Sequence, residues 1–136
     1  MRITPKLIIE WTAKQIRQKT VWLETFGPTG PKARGDADRK QRSIYVLEAI
    51  HFDYCAASGK EAPKPQKTIK ATEIVNWCDD EIEDRRDWLR IHGPKAPDKR
   101  ERRPEMEVET KWDDLDILTA ILNDYERAIK DRKSRS

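Results

Sequence analysis

Apolar residues recur at helical spacing in four stretches of this chain. In the first, Ile9, Ile16 and Leu23 stand seven apart, flanked by Trp11 and Trp22. This predicts a helix over about 5–26, with Thr4 as its cap and Pro5 at a first helical position. Gly27-Pro28 is the expected stop, the glycine taking a left-handed cap conformation and the proline being unable to continue a helix. Residues 27–42 hold three Gly, two Pro and no large apolar side chain. They read as a surface loop whose last few residues open the second helix, capped by Asp36 or Asp38. Ile44, Leu47, His51 and Tyr54 then share one face of that helix, which reaches about Ala57.

Residues 58–70 carry Pro63, Pro65 and Lys60, Lys64, Lys67 and Lys70, the composition of an extended linker. A third helix is expected over about 72–92, with Val75, Ile82 and Leu89 as its stripe and Gly93-Pro94 as its stop. A second basic connector runs to about Thr110. The fourth helix starts near Thr110 or Lys111, with Leu115, Leu118, Leu122, Tyr125 and Ile129 in a 3-4 pattern. The basic tail from Arg127 to Ser136 is expected to fray.

The four stretches are two stretches written twice. Ile8-Ile9-Glu10-Trp11, Ile16, Trp22-Leu23 and Gly27-Pro28 return 66 positions later as Ile74-Val75-Asn76-Trp77, Ile82, Trp88-Leu89 and Gly93-Pro94. Only five Trp occur, so two coincident pairs are a poor accident. Beyond the glycines the shift becomes 71: Ile44, Val46, Leu47, Ala49, Ile50, Asp53 and Tyr54 align with Leu115, Ile117, Leu118, Ala120, Ile121, Asp124 and Tyr125. The extra five residues fall in the connector, where insertions are tolerated. An internal duplication of a helical hairpin follows. It predicts an all-α single domain of 136 residues, an up-down-up-down four-helix bundle with one hairpin over about 5–57 and its copy over about 71–133. Burying one apolar stripe per helix stabilises such a bundle, by about 1.5–3 kcal/mol for each large side chain. Trp11, Trp22, Trp77 and Trp88 are its structural anchors. Because the first helix is apolar on more than one side, part of that surface is also a candidate homodimer interface.

The chain is 39% charged, with a formal net charge of +3 and a mean hydropathy of −0.95. Periodic clustering of the apolar residues separates it from disordered chains of similar polarity. Cys55 and Cys78 do not correspond between the copies, so two free thiols in a reducing cytoplasm are expected. No apolar run is long enough for export or for a membrane span, and no membrane partner is expected.

Charge placement supplies the main functional candidate. Residues 27–42 set Lys32, Arg34, Arg39, Lys40 and Arg42 against two carboxylates. Residues 93–104 set Lys95, Lys99, Arg100, Arg102 and Arg103 against two more. In an up-down-up-down bundle both connectors emerge at one end, gathering ten basic side chains on a rim. Such a rim suits phosphates or an acidic protein surface, with a salt-sensitive, largely sequence-blind contact to nucleic acid. No aromatic interrupts either run, which argues against base stacking. The size and charge suit accessory or regulatory roles, those of mobile elements and phages included.

Three other constellations carry candidate chemistry. Helix three concentrates Asp79, Asp80, Glu81, Glu83, Asp84 and Asp87, and Glu81-x-x-Asp84 resembles half of the metal motif in all-α nucleotide pyrophosphohydrolases. The resemblance implies magnesium held against a diphosphate, with Asp113, Asp114 and Asp116 as the facing acidic set. At about 100° per residue, however, Asp80 lies about 140° around the helix from Val75, which turns these carboxylates toward solvent. His51-x-x-x-Cys55 with Cys78 and His92 has the residue types of a zinc site. In an unbroken helix Cys78 and His92 are about 21 Å apart along the axis, which excludes a shared metal. Arg86 with His92 resembles the Arg-x4–6-His signature of HEPN-type ribonucleases, also helical bundles. No nucleophile-base pair, phosphate-cradling glycine loop or metal cluster converges. The expectation is a non-enzymatic binding module without cofactor or metal.

Overall fold

The computed structural model describes residues 2–26 and 30–135, with side chains except at 30–34 and 135. Four α-helices account for most of it: α1 over Pro5–Phe26, α2 over Gly30–Ala57, α3 over Ala71–His92 and α4 over Glu105–Arg135. A short 3-10 turn, Lys99–Glu101, lies between α3 and α4. The described residues contain no strand, and the protein is all-α. One compact unit spans Thr4–Lys70, and the other takes in the chain from Ala71 onward together with the residues up to Ile3. Each is a helical hairpin, α1 packing on α2 and α3 on α4.

The expected start of α1 holds. Leu7 N–H donates to Thr4 Oγ1 at 3.2 Å and Ile8 N–H to Thr4 O at 3.1 Å, so Thr4 serves two otherwise unsatisfied amides. The Gly27-Pro28 stop lies outside the described residues. Three other boundaries differ from expectation. Helix α2 begins at Gly30, so most of the stretch expected to be a loop, residues 30–42, is helical and neither Asp36 nor Asp38 caps it. Pro31 fits a first turn, where no amide partner is needed, and Ala33, Ala37, Lys40 and Gln41 are good helix formers. The interior Gly35 costs only about 1 kcal/mol against them. Helix α4 begins at Glu105, five residues before its expected start. Glu107 and Val108 N–H donate to Pro104 O at 3.0 and 3.2 Å, and Glu105 and Glu107 complement the positive end of the helix. At its other end α4 stays helical through Arg135, where fraying was expected.

The stop at Gly93-Pro94 holds, since α3 ends at His92, but the glycine acts there in another way. Gly93 does not adopt a left-handed conformation; Gly59, at φ 69°, is the only described residue that does. Gly93 is required for a different reason: a Cβ there would run into the Leu89 carbonyl oxygen.

Burial repeats between the hairpins. Ile8 and Ile74, Trp11 and Trp77, Leu47 and Leu118, and Ile50 and Ile121 are buried at matching positions. Trp22 and Trp88 are both half-buried. Trp22 meets Phe26 and Trp88 meets His92 at 5.5 and 5.2 Å between ring centroids, each at 47°. The buried face of α1 is centred on Ile8, Trp11 and Thr12, and that of α3 on Ile74, Trp77, Cys78 and Ile82. The expected stripes Ile9–Ile16–Leu23 and Val75–Ile82–Leu89 lie roughly one residue round from these faces, and of their members only Ile82 is fully buried.

Candidate functional site

The second basic connector is held by backbone and side-chain bonds of its own. It leaves α3 at Gly93, whose N–H donates to Leu89 O at 2.8 Å. His92 Nδ1 lies 2.8 Å from Glu101 O, so this nitrogen carries the proton and donates. Arg103 N–H closes the loop by donating to His92 O at 2.9 Å. Within it, Asp98 Oδ1 accepts from Arg100 N–H at 3.0 Å and starts the 3-10 turn. Ala96 is buried, and its carbonyl takes two bonds from the Arg102 guanidinium, from Nε at 3.0 Å and Nη2 at 2.8 Å. The loop therefore has one preferred shape.

That shape divides the five basic residues by task. Arg102 is spent on the loop's own backbone. Arg103 makes a two-pronged pair with Glu107, at 2.8 and 3.1 Å, which raises its own pKa and holds Glu107 below the usual carboxylate range. Lys95, Lys99 and Arg100 point outward, the Arg100 side chain 91% exposed beside Asp98. Among the described residues no carboxylate pairs with Lys95 or Lys99. Next to the latch, an open groove of about 510 Å³ is lined by Pro94, Arg102, Arg103, Glu105, Val108 and Glu109.

The first basic run has a different setting. Arg39, Lys40 and Arg42 ride on α2, which spaces them by helical geometry and not along a flexible loop. Arg39 and Arg42 are exposed, while Lys40 is half-buried with Nζ 5.4 Å from the centre of the Trp22 ring. The side chains of Lys32 and Arg34 lie outside those described. The two runs belong to different hairpins.

The acidic cluster is dispersed. Asp79, Asp80, Glu83, Asp84 and Asp87 are not gathered inward: the first two and Glu83 and Asp84 straddle solvent-facing positions of α3. Glu81 turns inward to Arg85, at 3.4 Å. Of the facing set, Asp114 is buried and accepts from Arg85 Nε at 3.2 Å, whereas Asp113 and Asp116 are exposed. Among the described residues no three His, Cys, Asp or Glu side chains gather to hold a metal. Cys78 and His92 lie on the unbroken α3. Arg86 is exposed, and His92 serves the connector. No protein-family model, curated protein or solved structure matches this chain.

Two polar features remain, and the first gives the half-buried His51 the hydrogen-bond partner expected of a helix residue there. In hairpin one the buried Thr12 hydroxyl lies 2.9 Å from Ile8 O and 2.9 Å from His51 Nδ1, and His51 Nε2 lies 3.6 Å from Cys55 Sγ. With the hydroxyl hydrogen on the carbonyl, Thr12 accepts from Nδ1–H and the thiol donates to Nε2. Both thiols are free and buried. The second feature is duplicated. Arg85, Glu81 and Asp114 carried back by the two shifts are Lys19, Gln15 and Ser43, and Lys19 Nζ donates to Gln15 Oε1 at 3.0 Å. A polar cluster thus sits at matching places in both hairpins, charged in one and less so in the other. The aligned positions were the available signal.

Proposed function

We propose that this chain is a non-enzymatic binding and regulatory module, whose exposed basic side chains contact a polyanionic partner: nucleic acid or the acidic surface of a protein. The observation that supports this reading is the latched connector between α3 and α4. A loop ordered by its own backbone and side-chain bonds presents Lys95, Lys99 and Arg100 to solvent. A contact site held in shape loses less conformational entropy on binding. Arg39 and Arg42 on α2 supply the first hairpin's share, with Lys32 and Arg34 ahead of them in the same helix. Nothing in the fold favours the nucleotide-hydrolase alternative, whose Glu81 and Asp114 are both turned to Arg85.

The test uses the whole chain and two probes, a mixed-sequence DNA and polyglutamate, each at about 50 and about 200 mM salt. Binding to one or both should weaken by an order of magnitude or more across that range. Reversing Lys95, Lys99 and Arg100 to Glu should weaken it at low salt. No binding to either probe at low salt would overturn the reading.

A further inference from the structure

Duplication provides an internal control. Whatever one copy carries and the other lacks is not needed to fold a hairpin of this kind. The largest such difference lies at the end of the second helix of each pair. In hairpin one, α2 stops at Ala57 in a glycine-capped turn. Gly59 N–H donates to Ala56 O at 3.2 Å and Lys60 N–H donates to Cys55 O at 2.8 Å, with Gly59 at φ 69°. Carried forward by 71, Gly59 becomes Lys130. Helix α4 has no stop there and runs on to Arg135.

The added piece is basic and has nothing to bury. Tyr125 and Ile129 are the last half-buried positions, and residues 130–134 are all exposed. Over 127–134 there are four cations, Arg127, Lys130, Arg132 and Lys133, against the single carboxylate of Asp131. A cation or two in a last turn is explained by the negative end of the helix dipole. Three of them, Lys130, Arg132 and Lys133, on an extension the sister hairpin does without, are not, and Arg127, at the place of Ala56, adjoins them.

We infer that the C-terminal extension of α4 is a second contact element, one that lies in the major groove of double-stranded DNA and pairs with its phosphates. This inference rests on the binding reading above and selects its partner. An α-helix with its side chains is about 10–12 Å across, a match to a major groove about 12 Å wide that admits one helix. At about 100° per residue, Arg127, Lys130 and Lys133 flank one side of the helix and Arg132 the other, so both groove walls are within reach. An A-form RNA duplex is disfavoured because its major groove is too narrow for a helix. Single strands are disfavoured because no aromatic lies in the extension. A membrane surface is disfavoured because Ala128 and Ile129 alone do not make an apolar face.

The experiment is a fluorescence-anisotropy titration of the full chain on a mixed-sequence DNA duplex about two helical turns long, repeated from about 50 to 200 mM salt. A variant with Arg127→Gln, Lys130→Gln, Arg132→Gln and Lys133→Gln is set beside a connector variant with Lys95→Gln, Lys99→Gln and Arg100→Gln. Gln has a helix propensity close to that of Lys and Arg, and circular dichroism checks that the helix persists. The tail variant should bind at least tenfold more weakly at the lower salt. Its log–log salt slope should fall by about 0.9 for each phosphate it no longer neutralises. Unchanged affinity and slope in the tail variant, with a weakened connector variant, would overturn this inference and leave the binding reading in place. Failure of the unaltered chain to bind duplex while it retains polyglutamate would also overturn it, in favour of an acidic protein. Failure with both probes would remove the binding reading itself.

Discussion

Lys111 Nζ stands 5.1 Å from the centre of the Trp88 ring, and the pair is a copy of Lys40 over Trp22 at 5.4 Å. Each lysine is 71 and each tryptophan 66 positions from its counterpart, so two helices per hairpin have kept their register across an insertion of five residues. The third member differs. Phe26 lies against Trp22, while its counterpart His92 lies against Trp88 and bonds to the Glu101 carbonyl. The hydrogen-bonding nitrogen that His92 brings to this position is the one that ties α3 to its basic connector.

The duplicated pairs should be measurable as couplings. A double-mutant cycle on Lys111→Met and Trp88→Leu should return about 0.5–1 kcal/mol of interaction, the range for a partly exposed cation over an indole. The cycle on Lys40→Met and Trp22→Leu should return the same sign and a similar size. Denaturant unfolding of the four variants in each cycle supplies the numbers. Two couplings of zero would mean that the repeat preserves the placement for some reason other than its energy.

The two versions of the polar cluster should differ in sensitivity. Arg85 lies with its side chain only 13% exposed between Glu81 and Asp114, themselves 14% and 10% exposed. Asp114→Ala removes a charge-assisted bond but leaves Arg85 its Glu81 partner, so it should destabilise hairpin two by about 1.5–3 kcal/mol. The matching Ser43→Ala removes a neutral hydroxyl and should cost less than about 1.5 kcal/mol. Urea midpoints measured side by side decide it. Equal losses would show that charge at this place contributes nothing particular.

Helix number, order and the hairpin repeat were legible because they rest on large residues at matched spacings, above all the tryptophans. The buried face was misplaced because its polar members, Thr12, Gln15 and Lys19, look like a solvent face to a rule that counts apolar residues. Thr12 has its partner, His51, on the neighbouring helix, beyond the reach of any local pattern, while Lys19 and Gln15 bond to each other one turn apart. The first connector was misread for the opposite reason. Gly30, Pro31 and Gly35 carry strong local signals for a loop, but a proline in a first turn and one interior glycine are both compatible with helix when the surrounding residues favour it. The basic residues were identifiable by type. Which of them are spent internally, as Arg102 and Arg103 are, depends on where the Ala96 carbonyl and Glu107 sit, and this only the folded loop specifies.

Glycines 59 and 93 should respond to different substitutions. Gly59 is held at a positive φ with open space where a Cβ would go. Gly59→Ala should cost about 1–2 kcal/mol, and Gly59→Asn less, since Asn tolerates that conformation better. At Gly93 the obstacle is the Leu89 carbonyl oxygen, so Ala and Asn should be equally poor there, at about 1–3 kcal/mol. Thermal unfolding of the four variants separates the mechanisms. A rescue by Asn at position 93 would contradict the steric account.

Cys78 sets a pH dependence with a definite direction. Burial chiefly, and then the nearby charges of Asp79 and Glu81, push its thiol from an ordinary 9.0 up to about 12. The folded chain therefore holds this proton more tightly than the unfolded chain does. The resulting stabilisation is complete below pH 9, where both states are protonated. As pH rises the unfolded chain ionises first, and the contribution drains away between about 9 and 12. Stability measured against pH for the native chain and for Cys78→Ala should accordingly run parallel below about pH 8 and converge above about 9. The thiol should resist alkylating reagents in the folded chain at about pH 8, where little thiolate forms, and react once urea exposes it. Rapid labelling of Cys78 in the folded chain at that pH would mean the helix opens locally far more often than its burial implies.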